Sequence, residues 1–164
     1  MNAIKTVSLA VALALVAGCG TQEKGAGNQA ADSGGKTAAG GASAALAGLY
    51  EGGTVPQRDQ LCIVERGGNA SQFGLIVWGA NDHSCMGAGE AVRQGERLLL
   101  KMAGDSACEI EARIVDGAVA LPANVPEGCA YYCGARAQFA ARTLTRTGDD
   151  ALKARDLVGD PLCG

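Results

Sequence analysis

The clearest alternation of apolar and polar residues in the chain runs from Cys108 to Val115. Its even-numbered positions are cysteine, isoleucine and alanine, whereas its odd-numbered positions include two glutamates and an arginine. A strict period of two is typical of a β-strand that turns one face to the core and the other to water. Asp116-Gly117 follows directly and favours a two-residue hairpin turn, so residues 118–121 are expected to pair back against this strand.

Shorter segments of similar pattern, each closed by turn residues, occupy the rest of the region after residue 46. They lie at residues 49–51, 61–66, 73–78, 86–93 and 97–102, and a last segment at 137–145 points Phe139 inward, although its alanines also suit a helix. Short strands at regular spacing, with no long amphipathic helix between them, favour an antiparallel sheet over a parallel one. The sequence therefore predicts a mainly β domain, a meander barrel or sandwich of about seven or eight strands.

One helix is predicted after the last strand. Residues 148–150 supply a cap and early negative charge, and Gly159 followed by Pro161 would end the helix. Its apolar side chains form a modest stripe, at Ala151, Ala154, Leu157 and Val158. We expect this helix to pack over one mouth or one edge of the sheet.

Residues 1–18 have the pattern of a secretory signal peptide. Lys5 supplies the positive charge, and residues 7–16 form an apolar run of about ten residues, too short to cross a membrane. The run ends in Val16-Ala17-Gly18-Cys19, which resembles the lipobox of bacterial lipoproteins. The resemblance implies that signal peptidase II cuts before Cys19 and that the sulfur of Cys19 carries a diacylglyceryl group.

The same resemblance implies a place in the cell envelope. Gly20, rather than aspartate, follows Cys19, and in the sorting pattern of enteric lipoproteins this favours export to the outer membrane. The anchored domain would then face the periplasm or the cell surface. Residues 19–45 are mostly glycine, alanine and small polar residues, so they are expected to form a disordered tether with a root-mean-square span of roughly 28 Å. The folded domain comprises residues 46–164.

Six cysteines remain when Cys19 is assigned to the lipid, namely Cys62, Cys85, Cys108, Cys129, Cys133 and Cys163. An even number in an exported domain predicts a disulfide framework. Zinc sites usually need two close pairs of ligands, and only Cys129 and Cys133 are close, so we predict no metal or other cofactor. A bond between Cys62 and Cys163 would tie the C-terminal helix to the sheet, and Cys108 is expected to pair with Cys129 or Cys133.

Charge and composition limit the partners. The net charge is −3 and the basic residues are scattered, so the chain lacks the basic patch of a nucleic-acid-binding protein. Tyr131 and Tyr132 stand between two cysteines in a loop that follows two prolines. Because tyrosine combines apolar area with a polar tip, the pair is a candidate binding surface, and the alternative is that one ring fills the core while the other lies on the surface.

Catalytic signatures are weak. Asp82-His83-Ser84 contains the residue types of a hydrolytic triad, but consecutive side chains diverge and do not form the required line of hydrogen bonds. Glu109 and Glu111 share one strand face and are best interpreted as solvated charges, because glycosidase carboxylates face each other across a cleft. The sequence therefore predicts no catalytic residue.

These features predict a non-enzymatic binding or structural role in the outer envelope. The partners would be the membrane, through the lipid, and an envelope protein or cell-wall component. The architecture resembles that of the membrane-bound lysozyme inhibitors, which are small β-barrel lipoproteins with disulfides, but their Ser-Gly-containing inhibitory strand is not found here. The alternative is a cell-wall or periplasmic hydrolase, which would need groups from separate strands, for instance His83 with Glu90 or Asp105.

Overall fold

A computed structural model describes residues 45–67 and 71–164. Within them, eight antiparallel strands form a closed barrel in which neighbours in sequence are neighbours in space. The strands are β1 (Gly48–Gly53), β2 (Arg58–Glu65), β3 (Ser71–Trp78), β4 (Ser84–Gln94), β5 (Arg97–Met102), β6 (Glu109–Val115), β7 (Ala118–Ala120) and β8 (Thr143–Gly148). The predicted antiparallel meander is confirmed as a barrel. The predicted signal peptide, lipobox, Cys19 and most of the tether lie outside the described residues.

The hairpin between β6 and β7 forms as the sequence predicts. Ile110 and Ala112 are buried, whereas Glu109 and Glu111 on the other face are exposed. Asp116 and Gly117 have φ angles of 50° and 79°, and positive values at both central positions define a type I′ turn. This turn matches the right-handed twist of the two strands that it joins, which is why the Asp-Gly dipeptide is a reliable hairpin signal.

The barrel interior is filled by side chains. Alternate residues of the strands point inward and are almost inaccessible to solvent, with Phe139 added from the loop before β8. The largest are Phe73, Phe139, Leu61, Ile63, Leu75, Leu98, Leu100, Ile110 and Leu144. Burial of this apolar area supplies the main driving force for folding.

The last strand is shorter than predicted. It begins at Thr143 rather than at residue 137, although Phe139 does point inward, with an exposure of 0%. The backbone before it follows an irregular path that includes a positive φ of 55° at Ala141. Ala141 N donates to Pro122 O at 2.7 Å, so this segment is bonded to the loop after β7. The apolar residues here plug the barrel without belonging to a strand.

The predicted C-terminal helix is wrong beyond its first turn. Only Ala151–Lys153 is helical, as a 3-10 turn whose Asp150 cap accepts a hydrogen bond from Leu152 N. The Asp156 carboxylate then accepts bonds from Val158 N and Asp160 N, which favours a turn over a helix. Leu162 N donates to Ala154 O at 3.0 Å, so the chain doubles back.

We call residues 151–163 the outer strap. It packs on the outside of the barrel wall, where its Ala151, Ala154 and Cys163 form a second, smaller apolar cluster with Leu49 and Cys62. The strap therefore covers the outer face of β1 and β2, rather than the mouth or edge that the sequence predicts, and it does so without a helix. In the described part of the chain, no helix combines the length and apolar character that crossing a membrane requires.

Candidate functional site

Three disulfides cross-link the domain, as predicted, and they fall into two groups. Cys62–Cys163 attaches the outer strap to β2. Cys85–Cys133 and Cys108–Cys129 attach one short segment to the start of β4 and the start of β6. That segment includes the 3-10 helix Glu127–Tyr132, and we call residues 127–133 the tyrosine turn.

The tyrosine turn lies at one end of the barrel, and the order of the strands shows which end this is. The chain enters β1 at Gly48, at what we call the entrance end, and leaves it at Gly53, at the far end. In an antiparallel meander, each odd-numbered strand then ends at the far end. The turn follows β7, so it lies at the far end, opposite the point where residues 45–47 lead into the barrel.

The two tyrosines of the turn have different environments. Tyr131 is 87% exposed, whereas Tyr132 is half-buried, and their rings meet edge to face with centroids 5.5 Å apart. Desolvation, and then the influence of Asp105, raise the pKa of Tyr132 above the ordinary value. Tyr132 thus positions the turn, while Tyr131 projects into solvent as a large amphipathic side chain of the kind that dominates many interfaces.

The candidate catalytic residues are not brought together. The Asp82 carboxylate accepts a hydrogen bond from the Gln57 amide, and a Cβ added to Gly134 would lie 2.8 Å from His83 Nδ1. Glu90 lines a cleft on the barrel wall, whereas Asp105 lines a different cleft. His83 therefore packs by the connection between β3 and β4 and shares neither cleft.

The paired glutamates of β6 form ion pairs on the outer surface. Glu109 lies 3.7 Å from Lys101 Nζ, and Glu111 lies 2.5 Å from Arg97 Nη2. All four side chains are about half exposed to solvent. Pairs of this kind contribute little to stability, about 0–1 kcal/mol each.

Asp59 is a buried carboxylate that has structural partners. It is 4% exposed, and its Oδ1 accepts a hydrogen bond of 2.8 Å from Trp78 N. Its Oδ2 lies 3.3 Å from Arg142 Nε, and Arg142 Nη2 also donates to Trp78 O. A buried carboxylate needs such compensation, and this arrangement joins β3 to the residue that precedes β8.

The cleft on the barrel wall was not predicted from sequence. It has a volume of about 620 Å³ and runs over the outside of β3, β4 and the end of β5. We call it the side cleft, and its polar lining includes Arg66, Gln72, Glu90 and Lys101, with Leu162–Gly164 at one end. The sequence signal for the cleft is a set of small residues that face each other on neighbouring strands. These residues can be recognised as a set only once the register of the strands is known.

No group of three or more histidine, cysteine, aspartate or glutamate side chains in the described ranges is arranged to hold a metal ion. Comparisons with known protein families, with curated proteins and with solved structures find no match for this chain.

Proposed function

We propose that this protein is a lipid-anchored component of the bacterial envelope that binds a partner protein through the tyrosine turn, without catalysis. One observation carries the binding role: Tyr131 is 87% exposed although its turn is fixed to the barrel by two disulfides. An exposed aromatic side chain on a rigid support loses little conformational entropy on binding, so more of its burial energy contributes to affinity.

The end at which the chain enters the barrel supports this role. An anchor at Cys19 would lead, through the tether, into the entrance end at residue 45. The tyrosine turn lies at the other end, so a lipid anchor leaves it accessible to a partner. Three disulfides also suit the oxidising envelope compartment.

The anchor has its own test. Mass spectrometry of the membrane-extracted protein should identify a diacylglyceryl-modified peptide that begins at Cys19, and Cys19→Ala should abolish the modification. An intact Met1 in the membrane-extracted protein would contradict the proposal.

The binding role is tested by the contact residue. The chain purified without its lipid should sediment with isolated envelopes, and Tyr131→Ala should weaken sedimentation by at least about tenfold, since truncation of a central interface tyrosine often costs 2 kcal/mol or more. Leu152→Ala is the matched control, because Leu152 is also exposed, at 54%, but lies on the outer strap. Equal sedimentation of the Tyr131→Ala variant and the parent would refute the role of the turn.

A further inference from the structure

The outer strap shows that the outer wall of the barrel can hold a peptide segment. Leu162 passes over Gly74 of β3 so closely that a Cβ added to Gly74 would lie 2.8 Å from Leu162 Cγ. The strap near Leu162 crosses this wall with its own backbone against the sheet, and Cys163 then bonds to Cys62. A non-helical peptide segment is thus already seated on this face.

The side cleft lies beside that segment. Gly74 is paired directly with Ala88 of β4, and Ala103 N donates to Ala88 O at 2.9 Å. The cleft begins at Leu162–Gly164 and extends over Ala88 and Ala103 towards Gly104. Its volume of about 620 Å³ lies within the usual range for ligand sites.

The wall of the cleft carries a row of polar and charged side chains. Gln72, Glu90 and Lys101 stand directly opposite one another on β3, β4 and β5. Lys101 pairs with Glu109, and Arg66 donates to Gln72 Oε1 and to Gly164 O. Glu90 is exposed and makes no hydrogen bond or ion pair with any residue that the structure describes. A cationic group in the cleft would therefore find a carboxylate available.

We propose that the side cleft binds an extended peptide segment of a partner protein, with a lysine or arginine side chain directed to Glu90. The seated strap is the reason for a peptide. A glycan is a poorer fit because sugar sites usually present an aromatic face, whereas the aromatic residue of this lining, Phe73, is 2% exposed. The site is separate from the tyrosine turn, so it stands independently of the function proposed above.

The test is a titration of the oxidised, ¹⁵N-labelled full chain, purified in detergent, followed by nuclear magnetic resonance. The probes are two acetylated hexapeptides of alanine and glycine, one with a central lysine and the other with a central glutamate. We expect the lysine peptide to shift the amide signals of Ala88, Gly89 and Ala103, and to bind about threefold more tightly than the glutamate peptide, as exposed ion pairs allow.

Two pairs of variants assign the effect. Glu90→Gln should abolish the preference for lysine, whereas Glu111→Gln, a change to an exposed glutamate outside the cleft, should keep it. Ala88→Phe should fill the cleft and abolish binding of both peptides, whereas Ala123→Phe, at an exposed loop alanine, should not. Failure of both peptides to shift these signals at millimolar concentration would overturn the proposal. So would an unchanged preference in Glu90→Gln, or a chitin tetrasaccharide that shifts these signals when the peptides do not.

Discussion

The barrel interior and the outer strap are stabilised in different ways. The interior is built from large aliphatic and aromatic side chains, and its Leu61, Leu98 and Leu144 are each 0% exposed. The strap contributes mainly Ala151, Ala154 and Cys163 to its contact with the barrel, while its Leu157 and Val158 are 52% and 81% exposed. Burial can account for the interior, but two alanines, a cysteine and the partly buried Leu162 bury too little area to hold a segment of this length.

The difference indicates that the strap depends on its cross-link. The backbone hydrogen bonds of the strap lie within residues 150–163. Among the described residues, its links to the barrel are the small apolar cluster, a bond of 2.9 Å from Arg155 N to Gln60 Oε1 and the Cys62–Cys163 bond, whereas each barrel strand pairs with two neighbours. The interior should therefore keep its structure when the strap is released, and the strap should not survive loss of the disulfide.

Removal of the strap disulfide should have the largest effect. The double change Cys62→Ala and Cys163→Ala opens a loop with a sequence separation of 101 residues, and loss of such a constraint on the unfolded chain should lower the free energy of unfolding by about 4 kcal/mol. Urea denaturation measures this loss. Hydrogen exchange should then show rapid exchange in residues 151–163 but retained protection at Leu98 and Leu100.

Two outcomes would contradict this difference between the interior and the strap. If β5 loses its protection together with the strap, the two regions form one cooperative unit. If the strap keeps its protection without the disulfide, its packing is stronger than the buried area indicates. The double change Cys85→Ala and Cys133→Ala is the matched control, because it removes a disulfide at the far end and should leave the strap protected.

A cavity in the interior should have the next largest effect. Leu98→Ala removes a fully buried side chain from β5 and should lower the free energy of unfolding by about 3 kcal/mol. Leu152→Ala on the strap, where the side chain is 54% exposed, should change it by less than about 0.5 kcal/mol. Urea denaturation of both variants gives the comparison, and similar losses in the two would contradict it.

The strands around the interior could be predicted because the residue pattern that specifies each strand lies within that strand and the turn after it. The alternation at residues 108–115 records a strand with one buried face, and Asp116-Gly117 records the turn that pairs it with the next strand. The positions of Cys62 and Cys163 also suggest their pairing, since a bond at the end of the chain would secure the last segment. Phe139 was assigned to the correct side of the barrel, although it lies in a loop.

The strap and the side cleft were harder to predict for physical reasons. The spacing of Ala151, Ala154 and Leu157 imitates one helix face, but the Asp156 turn and the attachment of Cys163 override this local preference. The side cleft depends on which residues face each other across β3, β4 and β5. Such register is set by the whole sheet, so Glu90 and Lys101 could not be placed together from the chain alone.

Gly74 offers a smaller change at the strap contact. A Cβ at this position would lie 2.8 Å from Leu162 Cγ, so Gly74→Ala should force the strap away and lower the free energy of unfolding by about 2 kcal/mol. Gly148→Ala is the matched control in a strand, because no atom lies within 4 Å of a Cβ added there. Thermal denaturation measures both. If Gly74→Ala leaves the free energy of unfolding unchanged, the strap moves aside without loss of stability.

The smallest effect concerns the one tyrosine of the interior. The Tyr50 hydroxyl donates to Leu46 O at 2.7 Å, and burial raises the pKa of Tyr50 above 10.0, with Arg146 opposing the shift. Because the folded state holds this proton more tightly, its contribution to stability is complete below pH 10 and is lost as the pH rises through the raised pKa.

Tyr50→Phe should lower the free energy of unfolding by about 1 kcal/mol at pH 8 through the lost hydrogen bond. The parent should then lose more stability than Tyr50→Phe between about pH 9 and pH 11, so their urea midpoints should converge. If the urea midpoints of the two proteins stay equally far apart over this pH range, Tyr50 does not ionise on unfolding. The same pH series in the variant without the Cys62–Cys163 bond is the control. It should show an unchanged contribution from Tyr50, since Tyr50 belongs to the interior.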